Sequence, residues 1–131
     1  MFKKFLLLAS AGLMAIGTAA AAEKVKIGFV TTITTPAGVI GKDMVDAVNL
    51  AMEDIGGKMA GRDVELIIED DGFKPAIGKQ KTDKLVKQDK VQFVTGFIWS
   101  HVLLASQKSA LEAGKFLISS NAGPSQMAGK L

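Results

Sequence analysis

Cysteine is absent from the 131 residues. That absence excludes a disulfide framework, a thiolate nucleophile and a lipid anchor attached through cysteine. Histidine occurs once, at His101, directly after Ser100. Neighbouring residues at a helix start point in different directions, and the Gly-x-Ser-x-Gly elbow of hydrolases is missing, so a serine–histidine pair is not expected. A one-sided basic face is also lacking. The net charge of +3 includes Lys3 and Lys4; without them 14 basic side chains, interspersed with 13 acidic ones, remain. A phosphate backbone requires clustered positive charge, so nucleic acid is not an expected partner. There is no internal repeat and no low-complexity tail.

Long apolar runs are confined to the start of the chain. Lys3 and Lys4 precede an apolar stretch from Phe5 to Ile16 whose one polar residue is Ser10, and Ala20, Ala21 and Ala22 supply a small-residue cleavage site before Glu23. This pattern describes a secretory signal peptide over residues 1–22, too short to span a bilayer, which needs roughly 20 apolar residues. The expected mature unit is residues 23–131, large enough for one modest core.

From Lys24 onward, short β-branched runs alternate with longer amphipathic stretches. Val25, Ile27, Phe29 and Val30 mark a first strand, Val64, Leu66, Ile67 and Ile68 a second, Val91, Phe93 and Val94 a third, and Phe116, Leu117 and Ile118 a fourth. All four are expected to be buried. Ile40, Met44, Val48, Ala51 and Ile55 recur at spacings of three and four, which predicts an amphipathic helix stopped at Gly56 and Gly57. Pro75 suits the first turn of a second helix running to about Gln88. A third helix follows Ser100, with Val102, Leu103, Ser106, Ala110 and Ala113 on one side and Gly114 at its end. The order β-α-β-α-β-α-β implies an α/β fold, a parallel sheet with helices on both faces.

Such a sheet raises the nucleotide-binding readings, and the glycine loops do not support them. The turn after the first strand, Thr31 to Gly38, has no G-x-G-x-x-G spacing. Between Gly72 and Gly78 stand five residues where a phosphate loop has four, and Gln80 replaces the serine or threonine that binds magnesium. A flavodoxin-like or Rossmann-type enzyme would thus rest on fold analogy alone. Glu69, Asp70 and Asp71 are expected to cap the second helix with one carboxylate and to face water with the others, rather than to bind metal. No catalytic residue, metal ligand or cofactor is assigned.

What remains is a set of small polar groups after the strand ends, where open α/β sheets take ligands: Thr31, Thr32, Thr34 and Thr35; Trp99, Ser100 and His101; Ser119, Ser120, Asn121, Ala122 and Gly123. Ser100 opens a helix, where its hydroxyl either caps the helix or, with the free amides, holds an anion. Trp99 serves either the core or an apolar ligand body.

Taken in order, these residues resemble the branched-chain amino-acid (leucine/isoleucine/valine) binding family of periplasmic receptors for ABC transporters. The marks are Lys26-Ile27-Gly28, the helix over 38–49, Gly56-Gly57 with Gly61, Glu69-Asp70-Asp71, Gly96 with Ser100, and Glu112-Ala113-Gly114 before Ile118-Ser119. The resemblance implies part of the N-terminal lobe of a type I periplasmic-binding-protein fold, cut short of the opposite lobe. It implies no enzyme but a monomeric periplasmic receptor that delivers a small organic acid or amino acid to an inner-membrane ABC permease, or a ligand-sensing domain of the same fold. By resemblance Ser100, Asn121 and Gly123 would hold the ligand carboxylate, with Ala122, Trp99 and Ile40 beside them. Gly123 stands where that family usually carries a threonine, and Ile40 where it commonly carries an aromatic residue. Trp99 with Asn121-Ala122-Gly123-Pro124 resembles family members that take aromatic carboxylates.

Overall fold

In the computed structural model, residues 23–129 are described; the export segment expected over residues 1–22 lies outside them. Strand β1 (Val25–Thr31) leads through a 3-10 turn at Pro36–Gly38 into helix α1 (Val39–Asp54). A short strand β2 (Lys58–Met59) and a long strand β3 (Arg62–Asp70) follow. Then come helix α2 (Pro75–Lys84), prolonged by a π-turn over Leu85–Asp89, strand β4 (Phe93–Gly96), helix α3 (Ser100–Glu112) and strand β5 (Phe116–Ser119). The sheet order is β2-β3-β1-β4-β5. β1 pairs in parallel with β3 and β4, and β4 with β5.

The helix limits follow from backbone chemistry. Gly56 and Gly57 take φ of 62° and 64° after α1, and Gly114 takes 65° after α3, the left-handed values that end a helix without a Cβ penalty. Pro75 occupies the first turn of α2. β2 was not expected: Ala60 and Gly61, both with positive φ, turn the chain so that Lys58 and Met59 pair antiparallel with Asp63 and Arg62.

The sheet faces are unequally covered. On one face α2 and α3 pack over a core of Val30, Leu85, Val91, Val94, Phe97, Val102 and Leu103. α1 lies on the other face, over Phe29 and Thr95, with Met44, Ala47 and Val48 toward the sheet. The expectation that all four strands are buried fails at β5, where Phe116 is 78% and Ile118 58% exposed. Their register with Phe93 and Thr95 puts them on the α1 face, and α1 does not extend over them. The apolar stripe of α1 is likewise only partly covered, Ile40 and Ile55 being exposed. Periodicity records which face a segment prefers, and the neighbours available decide whether that face is covered.

Candidate functional site

From the central strand β1 the chain moves to β3 on one side by way of α1, and later to β4 on the other by way of α2. The carboxyl ends of β1 and β4 therefore flank a point where the connections diverge, the place at which open α/β sheets form a crevice. Thr32 follows β1, Trp99 and Ser100 follow β4, and Phe73 follows β3.

The exit of β4 is set by backbone packing. Gly96 has φ of 101°, and a Cβ there would lie 2.3 Å from the Val30 carbonyl oxygen. The next residue, Phe97, also has positive φ, is fully buried, and donates its N–H to that carbonyl at 2.6 Å. This hook fixes where Ile98, Trp99 and Ser100 emerge.

Trp99, not Ser100, is the residue capping α3. The amides of Val102 and Leu103 donate to the Trp99 carbonyl at 3.1 and 3.0 Å, and no side chain caps the helix. Ser100 is the first helical residue and is exposed. Of the two roles open to it, N-capping is removed, and the first-turn amides of Ser100 and His101 have no intrahelical acceptor.

Trp99 is part of a connected group. Its indole N–H donates to the Thr32 hydroxyl oxygen at 3.1 Å, and that hydroxyl donates to Asp71 Oδ1. The same Asp71 oxygen accepts the Phe73 N–H at 2.8 Å. The Phe73 ring stands edge-on to Trp99 with centroids 4.9 Å apart, and edge-on to His101 at 5.0 Å.

The acidic triplet departs from expectation. None of the three carboxylates caps α2, whose N-cap is Lys74 without a side-chain bond. Nor do the remaining carboxylates face water, because each is tied to a different partner. Asp70 accepts from the Thr34 hydroxyl and from the Ile33 and Gly72 amides, at 2.9 and 3.0 Å for the amides. Burial raises its pKa, and these donors outweigh burial and hold it below the ordinary value. Glu69 bonds Lys81 and Lys84, each at 2.6 Å. Burial raises it too, and the two ammonium groups hold it low. Among the described residues no group of acidic or histidine side chains could hold a metal ion, and no helix is long and apolar enough to cross a membrane.

The other predicted residues are placed as follows. Asn121 donates its side-chain N–H to the Ile98 carbonyl at 3.0 Å, which binds the loop after β5 to the loop after β4. Ala122 is buried and donates its amide to Phe97 at 3.0 Å. Gly123 is exposed, with open space where a Cβ would stand. The fold thus joins Trp99, Ser100, Asn121 and Ala122 through the β4 exit. Ile40 is exposed on the first turn of α1. Phe73 was not anticipated; its signal is that of a large apolar side chain in the polar turn Asp71-Gly72-Phe73-Lys74. A groove of about 590 Å³ runs along the charged face of α2 past Lys79, Lys84 and Lys87, away from these loops.

A sequence profile described as periplasmic binding protein matches residues 24–131. No curated protein is a significant match. Among solved structures, an ABC transporter substrate-binding protein from Sphaerobacter thermophilus is 31% identical with a TM-score of 0.77, over 82% of this chain and 29% of its own. A branched-chain amino acid transporter substrate-binding protein from Streptococcus pneumoniae, in complex with isoleucine, is 29% identical with a TM-score of 0.74, over 78% of this chain and 30% of its own. A solute-binding protein of an ABC transporter from Rhodopseudomonas palustris BisB5, in complex with 3,4-dihydroxybenzoic acid, is 29% identical with a TM-score of 0.75, over 78% of this chain and 28% of its own. The chain therefore spans less than a third of the length of each, and the likeness is to binding proteins rather than enzymes.

Proposed function

Because the chain belongs to the periplasmic binding protein family, we propose that it supplies one wall of the ligand cleft in the substrate-binding component of an ABC uptake system for small carboxylates. In this reading the receptor acts in the periplasm as a monomer, and its partners are the ligand and an inner-membrane permease. The observation that carries it is the exposed start of α3, where Trp99 holds the N-cap position and no side chain caps the helix. Ser100 and its neighbouring amides lie at the carboxyl end of β4 with no protein acceptor for the helix dipole to meet, a setting that favours an anion. Asn121 and Ala122 serve by shaping the loop beside it, since a side-chain N–H of Asn121 is bonded to the Ile98 carbonyl and the Ala122 amide to the Phe97 carbonyl. Gly123 leaves room for the carboxylate, and Ile40 contributes from the first turn of α1.

Two bodies for that carboxylate are supported by relatives, a branched-chain amino acid by the isoleucine complex and an aromatic acid by the dihydroxybenzoic acid complex. The rings of Phe73, Trp99 and His101 next to Ser100 favour the aromatic acid, because a flat ligand ring can meet aromatic faces and edges at the same centroid distances.

The test is calorimetric titration of isoleucine and 3,4-dihydroxybenzoic acid into a polypeptide that carries this lobe with an opposing one, and into residues 23–131 alone. The two-lobed protein is expected to bind the aromatic acid, and Ser100→Ala to weaken it about tenfold or more, as loss of a hydrogen bond to a charged group does. The single lobe should bind far more weakly, because one wall cannot bury most of a ligand. Unchanged affinity in Ser100→Ala would remove Ser100 from the site.

A further inference from the structure

We propose that Asp71, acting through the Thr32 hydroxyl, is a positioning residue that locks Trp99 and Phe73 into a preformed aromatic wall, and that Phe73 is a specificity-determining residue of the cleft. The proposal rests on the carboxylate-receptor reading and adds Asp71, Thr32 and Phe73 to it. Asp71 is fully buried, as is Thr32. A buried carboxylate is costly unless its oxygens are bonded; Oδ1 of Asp71 has two donors, the Thr32 hydroxyl and the Phe73 amide, while Oδ2 is buried without a partner among the described residues. The first donor passes the constraint on, since the same hydroxyl oxygen accepts the Trp99 indole N–H. One carboxylate therefore holds both rings, one by its side chain through Thr32 and the other by its backbone.

Phe73 shows the cost of this arrangement. Its φ of 65° is left-handed, an unfavourable region for a bulky side chain. The residue is 43% exposed, so core packing does not explain why it stands there. Glycine would fit the backbone better. What the phenylalanine provides is a ring edge-on to both Trp99 and His101, the residues on either side of Ser100. Strain retained at an exposed position where strand ends meet is the pattern of a binding surface. Fixing the indole and the phenyl ring before ligand arrives removes rotamer entropy that binding would otherwise have to overcome, and selects ligands that present a flat face.

Trp99 is the single tryptophan and the chain has no tyrosine, so near-ultraviolet circular dichroism and fluorescence quenching report on this indole with little interference. In Thr32→Val the indole should lose most of its near-ultraviolet signal, and acrylamide quenching should rise about twofold, with far-ultraviolet dichroism retained. Thr32→Ser, which keeps the hydroxyl, should restore both. Saturation-transfer NMR detects millimolar contacts and so does not depend on an opposing lobe. With 3,4-dihydroxybenzoic acid as the probe, ring-proton transfer should be strong in the unmodified chain, reduced in Thr32→Val, restored in Thr32→Ser and lost in Phe73→Ala, while isoleucine gives little in any of them. Transfer that is the same in Thr32→Val and Phe73→Ala as in the unmodified chain overturns the positioning role and leaves the receptor reading intact. Absence of transfer in the unmodified chain overturns the wall together with the site. Should Thr32→Val fail to fold, exchange of the indole N–H in the unmodified protein decides: slow exchange supports the locked indole, and exchange at the rate of a free peptide overturns it.

Discussion

Asp70 and Asp71 are neighbours in sequence, yet they bond different residues of the same two turns, those after β1 and β3. Asp70 draws the Ile33–Thr34 turn toward the β3 exit, and Asp71 draws Thr32 and Phe73 together. Gly96 shows the same sensitivity to single atoms. A Cβ would collide with the Val30 carbonyl, and φ of 101° disfavours any L side chain. Gly96→Ala is therefore expected to cost about 3 kcal/mol, read as a shift of the urea midpoint, and to disturb the Trp99 near-ultraviolet signal because the hook that carries Trp99 moves. Asp70→Asn removes charge from a site with three donors, and should destabilise by about 1–2 kcal/mol at neutral pH.

β5 and α1 show an element formed by local preference and left partly bare by its surroundings. Phe116 and Ile118 project from the α1 face of the sheet, on the part that α1 leaves bare, and β5 is an edge strand. Exposed apolar side chains on an open strand edge promote self-association. Phe116→Lys is expected to leave the stability of the monomer within about 0.5 kcal/mol, as surface changes do, and to lower association measured by light scattering at high protein concentration. A Phe116→Lys chain that associates as strongly as the parent would show that β5 is not the sticky edge. The opposite layer behaves differently. α2 and α3 enclose Leu85, which is fully buried, so Leu85→Ala should cost about 3 kcal/mol, the range for an aliphatic truncation in a closed core.

At the scale of the molecule, charge is arranged along α2 in two clusters. Glu69 meets Lys81 and Lys84, and Lys84 also reaches Asp89 at 3.1 Å. Asp83 meets Lys79 and Lys87, both at 2.6 Å, and these two hydrogen bonds hold its pKa down to about 2 from an ordinary 3.8. A carboxylate whose folded pKa is depressed adds stability that is present above its unfolded pKa and is lost as pH falls toward the folded value. The thermal midpoint is thus expected to be level from neutrality down to about pH 4.5 and to fall from there toward pH 2, with added salt shrinking the fall because the pairs are partly exposed. Lys84 is raised by its hydrogen bonds to Glu69 and Asp89. Its contribution is complete below its ordinary value of 10.5 and is lost as pH rises through the higher folded one.

The sequence by itself determined the alternation of strands and helices, the stops at Gly56, Gly57 and Gly114, and the parallel sheet with helices on both faces, because these depend on periodicity and on backbone preferences expressed within a few residues. It also brought out Trp99, Ser100 and Asn121 as candidates, since they follow strand ends. Only the tertiary structure decided that β5 stays open, that Trp99 rather than Ser100 holds the N-cap position of α3, and that Asp70 and Asp71 tie loops while Glu69 pairs with lysines of α2. It alone joined Phe73, Trp99 and Thr32 around Asp71, residues separated by up to 67 positions. Hydrogen bonds and ring contacts of that separation arise from the order in which strands are laid side by side, and no local pattern records that order.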